Sequence, residues 1–143
     1  ARLALENSKS YDDAIQYMST AHSITPIYFI VGGVGPDQGA VISRTRLEIV
    51  KPKSLGVWSV DPPSRWFEVE TNYDHWLPPP KTDNRRDPAI AHMNAIGRNA
   101  TGLESLNKVL NRPPILRTGG YTLYTTLMCV ATQSYYTYIR GYI

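Results

Sequence analysis

The sequence predicts an α+β chain in which sheets are covered by helices, a layered α-β-β-α arrangement. Three observations carry this. A capped amphipathic run lies near the start, a series of short apolar or alternating runs broken by Gly and Pro follows, and two further helical runs precede a closing hairpin rich in Tyr and Thr. The 143 residues suffice for one domain or a large part of one, and 42% hydrophobic with 19% charged residues is ordinary globular composition.

Ser10 opens "SYDD", a serine cap with an acid three residues on, and Ile15, Tyr17, Met18 and Ala21 form a rough stripe, so a helix is expected over 11–21. "PIYFIVGG" is a nearly continuous apolar run ended by Gly32-Gly33 and reads as a buried strand. "VGPDQG" is turn chemistry, and "AVISRTRLEIVKP" alternates well enough for a strand, making residues 26–46 a hairpin. "GVWSVDPP" and "RWFEVETNY" read as two more strands joined at 61–64. The proline loop at 77–80 leads to a helix "AIAHMNAIG" ending near Gly97, with Pro88 in its first turn. Thr101 and Glu104 form a second capping box before "LESLNKVLNR", and Pro113-Pro114 stops that helix. "YTLYTTLMCVATQ" and "SYYTYIRGYI" close the chain as a hairpin.

Charge narrows the partners. The formal net charge is +3, with basic residues scattered and only short pairs at Arg44/Arg46, Lys51/Lys53 and Arg85/Arg86. A nucleic-acid interface wants a contiguous basic face, so no nucleic acid is expected, whereas a loose attraction to an anionic membrane surface suits this balance. A stacking module built on the ten tyrosines would need them exposed, and most fall in expected strands, where they fit sheet packing. No run of about 18 apolar residues could span a membrane, and no signal-peptide pattern is present. The first residue is Ala1, so the chain is expected to be a processed product or a piece of something longer.

Few residues invite chemistry. Cys129 is the single cysteine and sits inside "LMCVA", where a buried thiol behaves as a small hydrophobe with a raised pKa. His22, His75 and His92 lack metal-like spacing, so neither a metal nor any other cofactor is expected. Gly32-Gly33 with Gly35 lacks the Lys-Ser/Thr of a phosphate loop and reads as a hairpin turn. Only "RWFEVETNYDHWLPPPKTDNRRDP", residues 65–88, concentrates hydrogen-bonding side chains at one strand end. An Asn there can present its amide NH2 to a developing oxyanion, and an Arg on the following loop can return to orient a carbonyl or carboxylate. Turn formation by Asn72 and Asp74 is the plainer role for the same residues.

This stretch resembles the acid ceramidase and N-acylethanolamine acid amidase family, whose members are lysosomal N-terminal-nucleophile amidases. "NSKSYDDA…PIYFIVGG", "GAVISRTR" and "YTLYTTLM" resemble further family segments in the same order, from about Leu5 to Arg140. His75 is nearer the ethanolamide-hydrolysing branch and the "NSKSYDDA" helix nearer the ceramidase branch.

The resemblance implies that Asn72 helps form an oxyanion hole and that Arg85, first of the pair, supports the active site. It implies a partial N-terminal-nucleophile hydrolase fold, residues 1–143 being a single, incomplete domain from the C-terminal part of the large subunit. The nucleophilic cysteine, with an Arg and an Asp shortly after it, would lie upstream, so this chain is expected to be inactive alone. The implied partners are a lipid amide substrate, N-acylethanolamine or ceramide, and the upstream part of the same precursor. A nonenzymatic lipid-binding relative or truncated product is the alternative. Asn99-Ala100-Thr101 is the one glycosylation sequon, and with the family likeness it implies a secretory, lysosomal route.

Overall fold

The computed structural model describes residues 1–48 and 56–140. The chain divides into two compact units, Ala1–Glu70 and Thr71–Ile143.

The first unit holds helices α1 (Arg2–Asn7) and α2 (Tyr11–Thr20) and strands β1 (Ile27–Gly32), β2 (Gly39–Arg44) and β3 (Val57–Ser59). The Ser10 side chain accepts from the Asp13 backbone N–H, capping α2 where the sequence placed its start. The strands make an antiparallel sheet in the order β1-β2-β3, with Ile27 opposite Arg44 and Val41 opposite Trp58. Gly33 closes the β1–β2 turn: a Cβ there would stand 2.3 Å from Gln38 Oε1, and its N–H already donates to the Gln38 carbonyl at 2.8 Å.

Burial follows sheet position rather than apolar content. "PIYFIVGG" was expected to be the buried strand, yet β1 is an edge, and its Ile30 is 74% exposed. The alternating run supplies the central strand, where Ala40, Val41, Ile42, Ser43 and Arg44 are all buried. Ile42 packs with Ala4 of α1 and Met18 of α2, joined by Ile15, Phe29, Val31 and Val57. Arg44 shares that face, two residues on, and its Nη1 donates to the Met18 carbonyl (2.9 Å) and the Ala21 carbonyl. A cation thus meets the carbonyls at the α2 C-terminus, where the helix dipole favours it. The strand expected to run to 52 ends at Arg44: residues 45–48 lie outside any strand, and 49–52 fall outside the described residues.

One expected strand is absent. Asp61 and Arg65 form an isolated antiparallel bridge, with N···O distances of 2.7 and 2.9 Å, but residues 66–70 continue outside any strand. Alternation alone makes a segment extended; a strand also requires a neighbour with free backbone groups.

The second unit opens with the loop 71–85, then α3 (Arg86–Ile96), a 3-10 turn (Arg98–Ala100), α4 (Leu103–Leu110) and the hairpin β4 (Tyr124–Cys129) with β5 (Ser134–Ile139). Ala89 and Met93 of α3, Val109 of α4 and Leu127 of β4 are its buried apolar residues, and α4 packs against both α3 and β4. The capping box expected at Thr101 lies one residue on. Thr101 Oγ1 donates to the Gly97 carbonyl (2.9 Å), so Gly102 becomes the N-cap, its N–H donating to Ser105 Oγ at 2.8 Å. The closing hairpin forms as expected, with Tyr124 opposite Ile139 and with Thr126 and Thr137 joined through their hydroxyls at 3.1 Å. Its tyrosines are less packed than the sequence implied: Tyr124, Tyr135, Tyr136 and Tyr138 are all exposed. No described helix is long and apolar enough to cross a membrane.

Candidate active site

The N-terminus of α3 determines where the paired arginines point. Asn84, two residues ahead of the helix, closes the turn that enters it: its Oδ1 accepts from the Asp87 N–H (3.1 Å) and its Nδ2 donates to the Asp87 carboxylate (2.8 Å). Arg85 and Arg86 follow at the helix start and diverge. Arg86 is buried; it donates to the Asp74 carbonyl (3.3 Å) and the Leu77 carbonyl (2.5 Å), and its guanidinium lies 5.0 Å from the centre of the Tyr73 ring. It therefore holds the backbone of the loop that carries Asn72.

Arg85 engages the side chains. Its Nε donates to Asp83 Oδ1 at 2.7 Å and its Nη2 to Asp83 Oδ2 at 3.1 Å, a bidentate charge-assisted fork. The same Nη2 donates to Asn72 Oδ1 at 2.8 Å, across 13 residues of sequence. This last bond fixes the chemistry of Asn72. A guanidinium only donates, so the amide atom facing it must be oxygen. The amide NH2 is turned away from Arg85, and Asn72 is exposed, which leaves an uncharged donor available at the surface of the unit. Such a donor can meet negative charge developing on a carbonyl oxygen.

Two residues that sequence reasoning passed over complete the cluster. Asp83 Oδ1 also accepts from Arg117 Nη1 at 3.3 Å, so one carboxylate is shared by two guanidiniums. A cavity of about 500 Å³ adjoins them, lined by Lys81, Asp83, Arg85, Leu116, Arg117 and Tyr121; Asn72 stands beside this network but does not line the cavity. Asp83 could have been singled out as the acid two residues before the arginine; nothing local marks Arg117, which is 34 residues from Asp83.

The other candidates lie apart. Cys129 ends β4 half-exposed, which corrects the expectation of an apolar burial. The Thr132 hydroxyl and nearby backbone N–H groups hold its thiol below the usual cysteine range. His75 stacks edge-on against Trp76 at 4.7 Å, His92 Nδ1 lies 3.5 Å from Arg112, and His22 is exposed. Among the described residues no group of three His, Cys, Asp or Glu could hold a metal ion. Asn99 is exposed on the 3-10 turn.

In the first unit, Glu68 is a titratable group the sequence did not flag. Its side chain is only 6% exposed, and burial pushes its pKa up to about 8 from an ordinary 4.5, with Glu70 adding to the rise and Arg65 and a Val41 backbone contact opposing it.

No family model matches the chain. Known proteins do. The chain is 42% identical over 142 residues to the N-acylethanolamine-hydrolysing acid amidase of Mus musculus, covering 98% of this chain and 37% of the relative. It is 38% identical over 140 residues to the acid ceramidase of Homo sapiens, covering 97% of this chain and 34% of the relative. Among solved structures, a Caenorhabditis elegans orthologue of the N-acylethanolamine-hydrolysing acid amidase superposes with a TM-score of 0.78 at 31% identity, over 98% of this chain and 59% of that one. The chain thus spans little more than a third of the length of the curated relatives it matches. The structural likeness bears out the α+β class and the N-terminal-nucleophile hydrolase fold expected from the sequence. By sequence along nearly its whole length and by backbone, the chain is similar to the family of N-acylethanolamine-hydrolysing acid amidases and acid ceramidases.

Proposed function

We propose that the chain is the C-terminal part of the catalytic subunit of a lipid amidase, one that cleaves the amide bond of N-acylethanolamines or ceramides and releases a fatty acid. The observation that carries this is the 2.8 Å bond from Arg85 to Asn72 Oδ1, which leaves the Asn72 NH2 outward as a neutral donor. When a nucleophile adds to the amide carbon, the carbonyl π electrons move onto oxygen. The Asn72 N–H meets that oxyanion, and donors of this kind act most strongly in the transition state, where the charge is largest. Arg85 fixes the amide's orientation, and Asp83 fixes Arg85.

The nucleophile is a cysteine upstream of this chain, on the family pattern. Cys129 does not fill that role, since the groups lowering its pKa are a hydroxyl and backbone N–H donors rather than a base. The chain alone is therefore inactive, and its partner is the upstream part of the same precursor. Exposed Tyr124, Met128, Tyr135 and Ile139 on the closing hairpin support that reading, because they are suited to cover by further chain. Exposure of Asn99 supports a glycan there and a secretory route to the lysosome, where an anionic membrane surface would attract the positive net charge.

The test is to assay the full-length protein and the 143-residue chain in parallel, with an N-acylethanolamine and with a ceramide. Turnover of either by the full-length protein, and of neither by the chain, is expected. Failure of the full-length protein on both substrates, with its autocleavage intact, would favour the nonenzymatic lipid-binding relative.

A further inference from the structure

We infer that Arg117, in the loop between α4 and β4, is a positioning residue that acts through Asp83 on the Arg85–Asn72 pair; the inference rests on the function proposed above. Arg117 is held as a fixed arm. Its N–H donates to Thr122 Oγ1 and its carbonyl accepts from the Thr122 N–H, both at 3.0 Å, so the loop closes on itself at the entrance to β4. Gly119 and Gly120 take positive φ values of 74° and 83°, which L side chains rarely adopt, and let the loop turn this tightly. Tyr121 lies under the Arg117 guanidinium at 4.8 Å, limiting its sweep.

The arm ends on the carboxylate that matters. Asp83 Oδ1 takes Arg85 Nε at 2.7 Å and Arg117 Nη1 at 3.3 Å, while Oδ2 takes Arg85 Nη2 at 3.1 Å. Two bonds to one guanidinium still let an acid–arginine pair move as a body on its loop. The third bond ties that body to a separate element. The side chains of Asp83 and Arg85 are 23% and 22% exposed, so neither is pinned by packing alone. Removal of Arg117 should leave the Asp83–Arg85 fork intact but free to shift, and the Asn72 NH2 would shift with it. A displacement approaching 1 Å can cost about 100-fold in rate; a loosened tether costs less. No group of Arg117 need touch the substrate for this effect.

The experiment uses the full-length, autocleaved protein. Arg117→Met keeps the aliphatic stem over Tyr121 and removes charge and donor. It should lower kcat roughly fivefold with KM nearly unchanged, and Arg117→Lys should recover most of the loss. The effect should vanish in an Asp83→Asn background, because the route runs through that carboxylate. Where the methionine variant fails to fold, Arg117→Gln is read in its place by the same criteria. Full kcat in the charge-removed variant, a loss confined to KM, or additive losses with Asp83→Asn would each overturn the inference. Asn72→Ala, run beside them, separates the two claims. If Asn72→Ala lowers turnover and Arg117→Met does not, only the inference about Arg117 fails; if Asn72→Ala retains full turnover, the functional reading beneath it fails as well.

Discussion

Asn72 can serve an oxyanion only through its amide nitrogen, and Arg85 holds the amide in the orientation that exposes that nitrogen. Asn72→Asp tests this more sharply than truncation does. The carboxylate would pair still better with Arg85, so folding should be preserved, yet it has no N–H to donate, and turnover should fall by at least about 100-fold. Near-normal rates with Asn72→Asp would mean that the donor lies elsewhere. Arg85→Lys keeps the charge but replaces the fork by a point, so it should lose much of kcat while leaving the melting temperature close to wild type. Cys129→Ala should leave kcat/KM of the full-length protein within about twofold, the ordinary outcome for a half-exposed side chain outside the site. A large loss there would reopen Cys129 as a nucleophile.

Local chemistry made several elements legible. Ser10 and its downstream acids declare the start of α2, and Thr-Thr cross-pairing suits the β4–β5 hairpin. The sequence misplaced burial between β1 and β2 because edge and centre are assigned by neighbours, which a single run of residues does not name. It overlooked Asn84, whose side chain accepts from the first-turn N–H of Asp87 ahead of α3; Asn84→Ala should cost about 1 kcal/mol in thermal or denaturant unfolding. That Asn72 and Arg85 serve one active site is implied by family likeness, whereas the bond between their side chains is not legible in the sequence. Arg117 was invisible because its partner is remote in sequence.

The Glu68 carboxyl belongs to the same scale, held by the segment that follows the Asp61–Arg65 bridge. The folded state binds its proton between the ordinary 4.5 and about 8, where the unfolded chain has released it. Stability from this group is therefore complete below 4.5 and is lost as pH rises through 8. Thermal melts of the full-length protein should show stability declining from pH 5 toward pH 8.5, and Glu68→Gln should remove about 1–3 kcal/mol of that decline. An identical decline in the glutamine variant would show that Glu68 is not its source.

At the scale of the whole molecule, a chain spanning 37% of its amidase relative carries a donor, an orienting arginine and the network around them, and the proposed nucleophile comes from elsewhere. On that proposal the isolated chain is a useful control, since it keeps the Asn72–Arg85 pair and is expected to show no turnover. The most direct measurement is therefore kcat of the full-length, autocleaved protein carrying Asn72→Ala, on whichever lipid amide the wild type hydrolyses. Loss of one oxyanion donor should lower kcat roughly a hundred- to a thousandfold, with autocleavage and melting temperature unchanged. Wild-type kcat in that variant would contradict the account: Asn72 would then be a residue that only ends an extended segment, whatever family the chain belongs to.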